Sequence, residues 1–227
     1  MTSKNYYNHY WQKRGLKSSK PISPLIPGFL RRYSYYGAVL NLIPEKSRIL
    51  DLGCGNGNVS RLYLKKGKVT GLDISKIALK KASGFGIKTK LYDLDKLPLP
   101  FKNKAFEVVI LTDVLEHLLN PLAILKEISR LLTNKGQLII SVPNFARLEN
   151  RLQMLWGDPT DILHFDKYGD FKEHLHWFTI PKIKYFLNLA GFEEISFIPV
   201  GLPFGFIFTI LGFPSLSKML TIKAGKK

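Results

Sequence analysis

Residues 49 to 57 read Ile49-Leu50-Asp51-Leu52-Gly53-Cys54-Gly55-Asn56-Gly57, an apolar strand running into an acidic, glycine-rich turn. Glycines at 53, 55 and 57 permit positive φ and let a ligand lie against bare backbone. The next strand-like run, Val69-Thr70-Gly71-Leu72, ends in Asp73, a carboxylate about 20 residues past the first glycine and suited to both hydroxyls of a ribose. Strand, glycine turn and ribose-binding acid together specify an α/β nucleoside-binding fold whose ligand carries an adenosine. A dinucleotide turn would place a third glycine at position 58, where a pyrophosphate meets a helix N-terminus, but the residue there is Asn58 and the spacing is G-x-G-x-G. Asp51 also sets a negative charge beside the turn. That disfavours a phosphate and favours an ammonium or sulfonium group.

Further runs extend this frame. Ile87 to Leu94 reads as a third strand ending in Tyr92-Asp93-Leu94. Ala105 to Leu111 is a β-branched and apolar run of the kind buried in a parallel sheet, and it delivers Thr112-Asp113-Val114-Leu115-Glu116-His117-Leu118 at its carboxyl end, the edge where open α/β sheets bind ligands. Over roughly residues 45 to 200 the chain resembles the class I S-adenosylmethionine-dependent methyltransferases, whose first motif is matched by residues 49 to 57 and whose second is matched by Asp73. Asp-Val-Leu-Glu-His-Leu is similar to the post-strand-four motif of the ubiquinone-type and MetW-like members. The resemblance implies a doubly wound, mostly parallel seven-stranded sheet with helices on both faces, its last strand inserted antiparallel between the fifth and sixth. It also implies S-adenosylmethionine as cofactor and S-adenosylhomocysteine as product. Asp51, Gly53, Cys54, Gly55 and Gly57 would then hold the methionine end, Asp73 the ribose, with Ile74 beside it in the cofactor site, and Asp93 and Leu94 the adenine, while Thr112 and Asp113 flank the thioether, Asp113 alternatively capping the helix that follows.

Helices are expected at Asn58 to Lys66, Ser75 to Ala82, Pro121 to Leu132 and Ile180 to Ala190, the last stopped by Gly191. Strands are expected at Gly136 to Val142, Glu193 to Pro199 and Met219 to Ala224. Residues 1–44 form an aromatic and basic arm with a helix from about Gly28 to Leu42, and residues 45–227 form the methyltransferase-like domain. In related enzymes such arms act as lids, which makes Tyr6, Tyr10 and Arg14 candidates beside the cofactor; the same aromatics would equally serve to anchor a terminal arm. The insertion 144–178, rich in Trp and His, and the apolar segment 201–217 are expected on the acceptor side.

An alcohol or phenol acceptor must lose a proton as it attacks a methyl carbon, so a general base is sought among the histidines: His117 first, His176 second, each alternatively a structural residue. His164, His174 and His176 raise the question of a metal; residues 174 and 176 share a face of an extended segment, but a third ligand is not assigned, and no metal is expected.

With 34 Lys plus Arg against 17 Asp plus Glu, the net charge is +17, a surface that attracts anions. The run after strand four lacks the Asn/Asp-Pro-Pro-aromatic motif of amino-directed nucleic-acid methyltransferases, so nucleic acid is not the expected partner. Residues 201–217 are short of a membrane span and are broken by Gly and Pro, yet with the lysines after them they suit an interfacial contact and a lipid-linked substrate. With one cysteine and no apolar leader, a cytoplasmic protein is expected, with membrane association open. The function expected is methyl transfer by in-line displacement to an oxygen or nitrogen of a small-molecule, glycan or lipid-linked acceptor. A MetW-like role supporting another enzyme is the alternative, an RNA methyltransferase a weaker one; oligomeric state is open.

Overall fold

The computed structural model describes residues 3–13, 35–157, 174–198, 200, 211 and 213–227. Arg14, His164 and most of 201–217 lie outside them. Seven strands form one sheet: β1 (Ser47–Leu52), β2 (Gly67–Asp73), β3 (Lys88–Leu91), β4 (Phe106–Thr112), β5 (Leu132–Pro143), β6 (Phe192–Phe197) and β7 (Met219–Lys226). Their order is β3-β2-β1-β4-β5-β7-β6, with β7 antiparallel to both its neighbours. The doubly wound sheet and its inserted last strand therefore match the expectation.

The central strands are buried on both faces. Val108, Val109, Ile110 and Leu111 of β4 have no exposed surface, as a parallel sheet covered on two sides requires. Helices α5 (Pro121–Leu131) and α7 (Ile180–Leu189) close one face with Ile124, Leu125, Ile128, Ile183 and Leu187. The other core holds Tyr63, Ala82 and Ile87, together with Val39 from α2 (Tyr35–Leu42) and the following Ile43. The stretch of the N-terminal region nearest β1 is thus built into the core. Gln137 on β5 secures it by donating its side-chain amide to Leu42 O.

Several boundaries differ from expectation for local reasons. After the glycine turn only Ser60–Tyr63 is regular helix (α3), because bonds such as Leu62 N to Val59 O and Lys65 N to Leu62 O wind the flanks into tighter turns. α4 (Lys76–Ser83) begins where expected, its first turn capped by Ser75 Oγ, which accepts from Ala78 N. β3 stops at Leu91, since Asp93 turns the chain by accepting from Asp95 N. β5 starts four residues early: Leu132 leaves α5 already extended and pairs with Phe106 across an irregularity in the ladder. Helix α1 (Ser3–Lys13) lies against α4, tied by Ser75 Oγ donating to Asn8 Oδ1 at 2.9 Å. A further helix, α6 (Leu148–Leu155), follows β5.

Candidate active site

The site begins with the turn after β1. Gly53, Gly55 and Gly57 have φ of +73°, +53° and +74°, a conformation that side-chained residues rarely adopt. The contacts each makes are as telling. A Cβ on Gly53 would stand 2.4 Å from Val114 Cγ2, and one on Gly55 would stand 2.7 Å from Trp11 Cζ2. The bare turn is therefore flanked by the Asp-Val-Leu-Glu-His segment on one side and by an aromatic of the N-terminal helix on the other. Trp11 meets Tyr10 edge-on at 5.4 Å, and Tyr10 meets Tyr7 at 6.5 Å, so the aromatic arm lies at this turn.

Asp73, at the end of β2, clasps the turn: Gly55 N donates to its Oδ2 and Ser75 N to its Oδ1, each at 2.8 Å. Asp51 is 4% exposed and accepts from Ser60 Oγ at 2.6 Å, which joins the turn to α3. Burial pushes the Asp51 carboxyl up to about 7, against the help of Ser60, with the charge of Asp73 raising it further. Asp73 is also raised by burial despite three backbone N–H bonds, and burial drives the Cys54 thiol up, which leaves it inert as a nucleophile. Two neighbouring carboxylates short of positive charge are a poor seat for a phosphate and a good one for a cation. S-adenosylmethionine, with an ammonium, a sulfonium and no phosphate, fits that chemistry. Ile74 adjoins Asp73; Leu94 is buried at the loop after β3, beside Asp93.

The carboxyl end of β4 supplies the other half. Thr112 pairs with Ser141 of β5, and Asp113 takes a left-handed φ of +54° while its N–H donates to Ser141 O. That reversal sends Leu115–His117 into a short 3₁₀ turn. Leu175 N and His176 N both donate to Glu116 O, so the segment before α7 is laid across this turn. As a result His174 stacks edge-on against His117 with ring centroids 4.8 Å apart. His176 faces Phe178 instead, at 6.3 Å. Of the two histidines expected as candidate bases, His117 lies three residues after Val114, which packs against Gly53, and its ring meets His174.

Glu116 is the residue that sequence reasoning passed over. It is 1% exposed, its Oε2 has no hydrogen-bond partner, and its Oε1 lies 3.9 Å from His117 Nε2. Burial, reinforced by Asp113, pushes its carboxyl up to about 8. Glu116, His117 and His174 each offer one ligand atom within 4.8 Å of the others, a donor set that suits a divalent cation. Of the histidine pair that spacing singled out, His174 joins this cluster, whereas His176 lies against Phe178. The available signal was the Glu-His dipeptide itself, a chargeable pair directly after a buried strand.

This fold and site define a class of protein, the Rossmann-like enzymes with a G-x-G-x-G adenosine turn and an acid closing the second strand. A family model described as "Methyltransferase domain" matches residues 29–196, and the chain belongs to that family, among the class I S-adenosylmethionine-dependent methyltransferases. An uncharacterised protein of Methanocaldococcus jannaschii is 43% identical over 96 residues, which are 42% of this chain and 40% of that one. Ubiquinone biosynthesis O-methyltransferase of Histophilus somni is 28% identical over 184 residues, 74% of this chain and 75% of its own length. The namesake from Xanthomonas oryzae is 30% identical over 144 residues, 60% of this chain and 57% of its own. The chain thus spans between two fifths and three quarters of these relatives. Among solved structures, an S-adenosylmethionine-dependent methyltransferase of Thermotoga maritima superposes with a TM-score of 0.64 at 20% identity, covering 99% of this chain and 97% of that one. One from Methanosarcina mazei gives 0.62 at 23% identity, covering 85% and 98%. Both share the fold.

Proposed function

We propose that this chain transfers the methyl group of S-adenosylmethionine to an oxygen of a small-molecule, glycan or lipid-linked acceptor. The observation that carries the reading is the contact of Val114 with Gly53, which seats the His117 segment directly against the donor turn. When bound, the cofactor supplies an electrophilic methyl carbon on a sulfonium whose charge disappears during transfer. Gly53 to Gly57, with Asp73, would hold the donor, Asp93 and Leu94 would border its adenine, and Trp11 and Tyr10 would limit water at the turn. His117 takes the proton of the acceptor hydroxyl, and the His174 edge fixes the imidazole in place. The O-methyltransferase relatives support oxygen as the accepting atom. No described helix is long and apolar enough to cross a membrane; contact with a lipid surface through the apolar C-terminal segment belongs to this proposal for a lipid-linked acceptor.

A second reading uses the same side chains, with Glu116, His117 and His174 holding a divalent cation that polarises the acceptor hydroxyl. Calorimetric titration with S-adenosylhomocysteine and methyl-transfer assays on phenolic, glycan and lipid extracts test both. Micromolar binding that Asp73→Ala weakens at least tenfold, with turnover that His117→Gln lowers about 10²–10⁴-fold at unchanged product affinity, is the expected result. Turnover that chelators leave intact removes the cation. A folded protein that binds neither cofactor nor product refutes methyl transfer and favours a supporting role beside another enzyme.

A further inference from the structure

Where β5 ends, the chain leaves a cavity of about 50 Å³ with Asn144, Phe145, Arg147, His174, His176 and Trp177 among its walls. At roughly 10–15 Å³ per water-sized sphere, that space takes a group of three or four heavy atoms rather than a whole acceptor. We propose that it is an oxyanion subsite, in which Arg147 binds a carboxylate or phosphate carried by the methyl acceptor. The proposal rests on the methyl-transfer reading only for what the anion is attached to.

Arg147 is held for this task. Its Nε donates to Asn150 Oδ1 at 2.8 Å, and Asn150, 6% exposed, is itself fixed by donating to Phe145 O at 2.7 Å. Asn144, also buried, braces the same loop from the other side: its Nδ2 donates to Ser215 O and Ser217 O, and its Oδ1 accepts from Ala146 N. With Nε spoken for, the two terminal nitrogens keep the fork geometry that grips a carboxylate or phosphate edge. Among the described residues no hydrogen bond engages them.

The charge balance points the same way. Among the described residues no acid lines the cavity, whereas two histidines and the arginine do. The nearest counter-charge is Glu149, whose Oε2 is 3.5 Å from Arg147 Nε, but its side chain is 63% exposed against 17% for Arg147. A carboxylate in water neutralises such a guanidinium weakly, so an entering anion meets a net positive pocket. Phe145 and Trp177, with ring centroids 6.1 Å apart, add an apolar wall, and Trp177 is 46% exposed. His174 lines the cavity and also stacks on His117. An acceptor anchored by its anion at Arg147 therefore extends past His174 to the proposed base.

The test uses the full chain saturated with S-adenosylhomocysteine and three probes of one shape: benzoate, phenyl phosphate and the neutral benzamide, titrated by ligand-observed NMR. At least one oxyanion is expected to bind tenfold or more tightly than benzamide, and the tighter of the two names the group. Arg147→Gln is expected to erase that preference and Arg147→Lys to keep part of it, with melting temperature and S-adenosylhomocysteine affinity unchanged. An arginine that merely braced the loop would leave the preference alone. Equal binding of all three probes by the wild type, or an oxyanion preference that survives in Arg147→Gln, overturns the proposal. Wild type that prefers benzoate or phenyl phosphate yet never binds S-adenosylhomocysteine would keep the anion site and sink the methyl-transfer reading instead.

Discussion

Replacing Glu116 by glutamine should make the protein less sensitive to alkaline pH. In the folded chain this carboxyl sits near 8, against 4.5 for an ordinary glutamate, because it is buried and because Asp113 lies close by. The folded state therefore holds the proton more tightly than the unfolded chain does. Its contribution to stability is full below 4.5 and is lost as pH rises through 8. Between pH 6 and pH 9 the loss works out at about 2–3 kcal/mol, the difference between a neutral carboxyl and an uncompensated buried charge. For a chain of this length that is roughly 5–10 °C in melting temperature. Thermal unfolding followed by circular dichroism at pH 6 and pH 9, in buffer containing EDTA so that no cation enters the cluster, compares wild type with Glu116→Gln. Asp51, near 7, titrates in both proteins and cancels in the comparison. The variant should lose clearly less stability on going to pH 9. The same pH 6 to pH 9 drop in both proteins would refute the argument that burial raises the Glu116 carboxyl.

Two further outcomes follow from the donor turn. Asp51 ionises near pH 7, and a sulfonium gains from its charge where a thioether does not, so the affinity ratio of S-adenosylmethionine to S-adenosylhomocysteine should rise between pH 6 and pH 8; calorimetry with Asp51→Asn should show a flat ratio, and a wild-type ratio independent of pH would contradict the assignment. Gly57→Ala places a Cβ at φ +74°, 2.8 Å from Ala82 Cα and 2.9 Å from Ile87 Cδ1. The left-handed cost and the overpacking together come to about 3 kcal/mol, measurable as a fall in the denaturation midpoint; an alanine variant as stable as wild type would mean that the turn relaxes freely.

The donor half of the site was legible because its determinants are local. Positive-φ glycines, a carboxylate two residues ahead of them and an acid at the end of the next strand lie within 25 residues and act through backbone geometry, which residue type alone constrains. What Asp51 does was less legible: its partner Ser60 reads as an ordinary helix residue until α3 swings it back under the turn. The acceptor half resisted for a different reason. His117 and His174 are neighbours only because two amides before α7 bond to one carbonyl in the 3₁₀ turn, a long-range backbone contact with no side-chain signature. Spacing drew attention to His174 and His176, two residues apart on one extended face; both line the cavity after β5, but of the two it is His174 that joins the cluster with His117. Glu116 went unnoticed because an acid after a strand normally reads as solvated, and only the segment laid over it seals it from water.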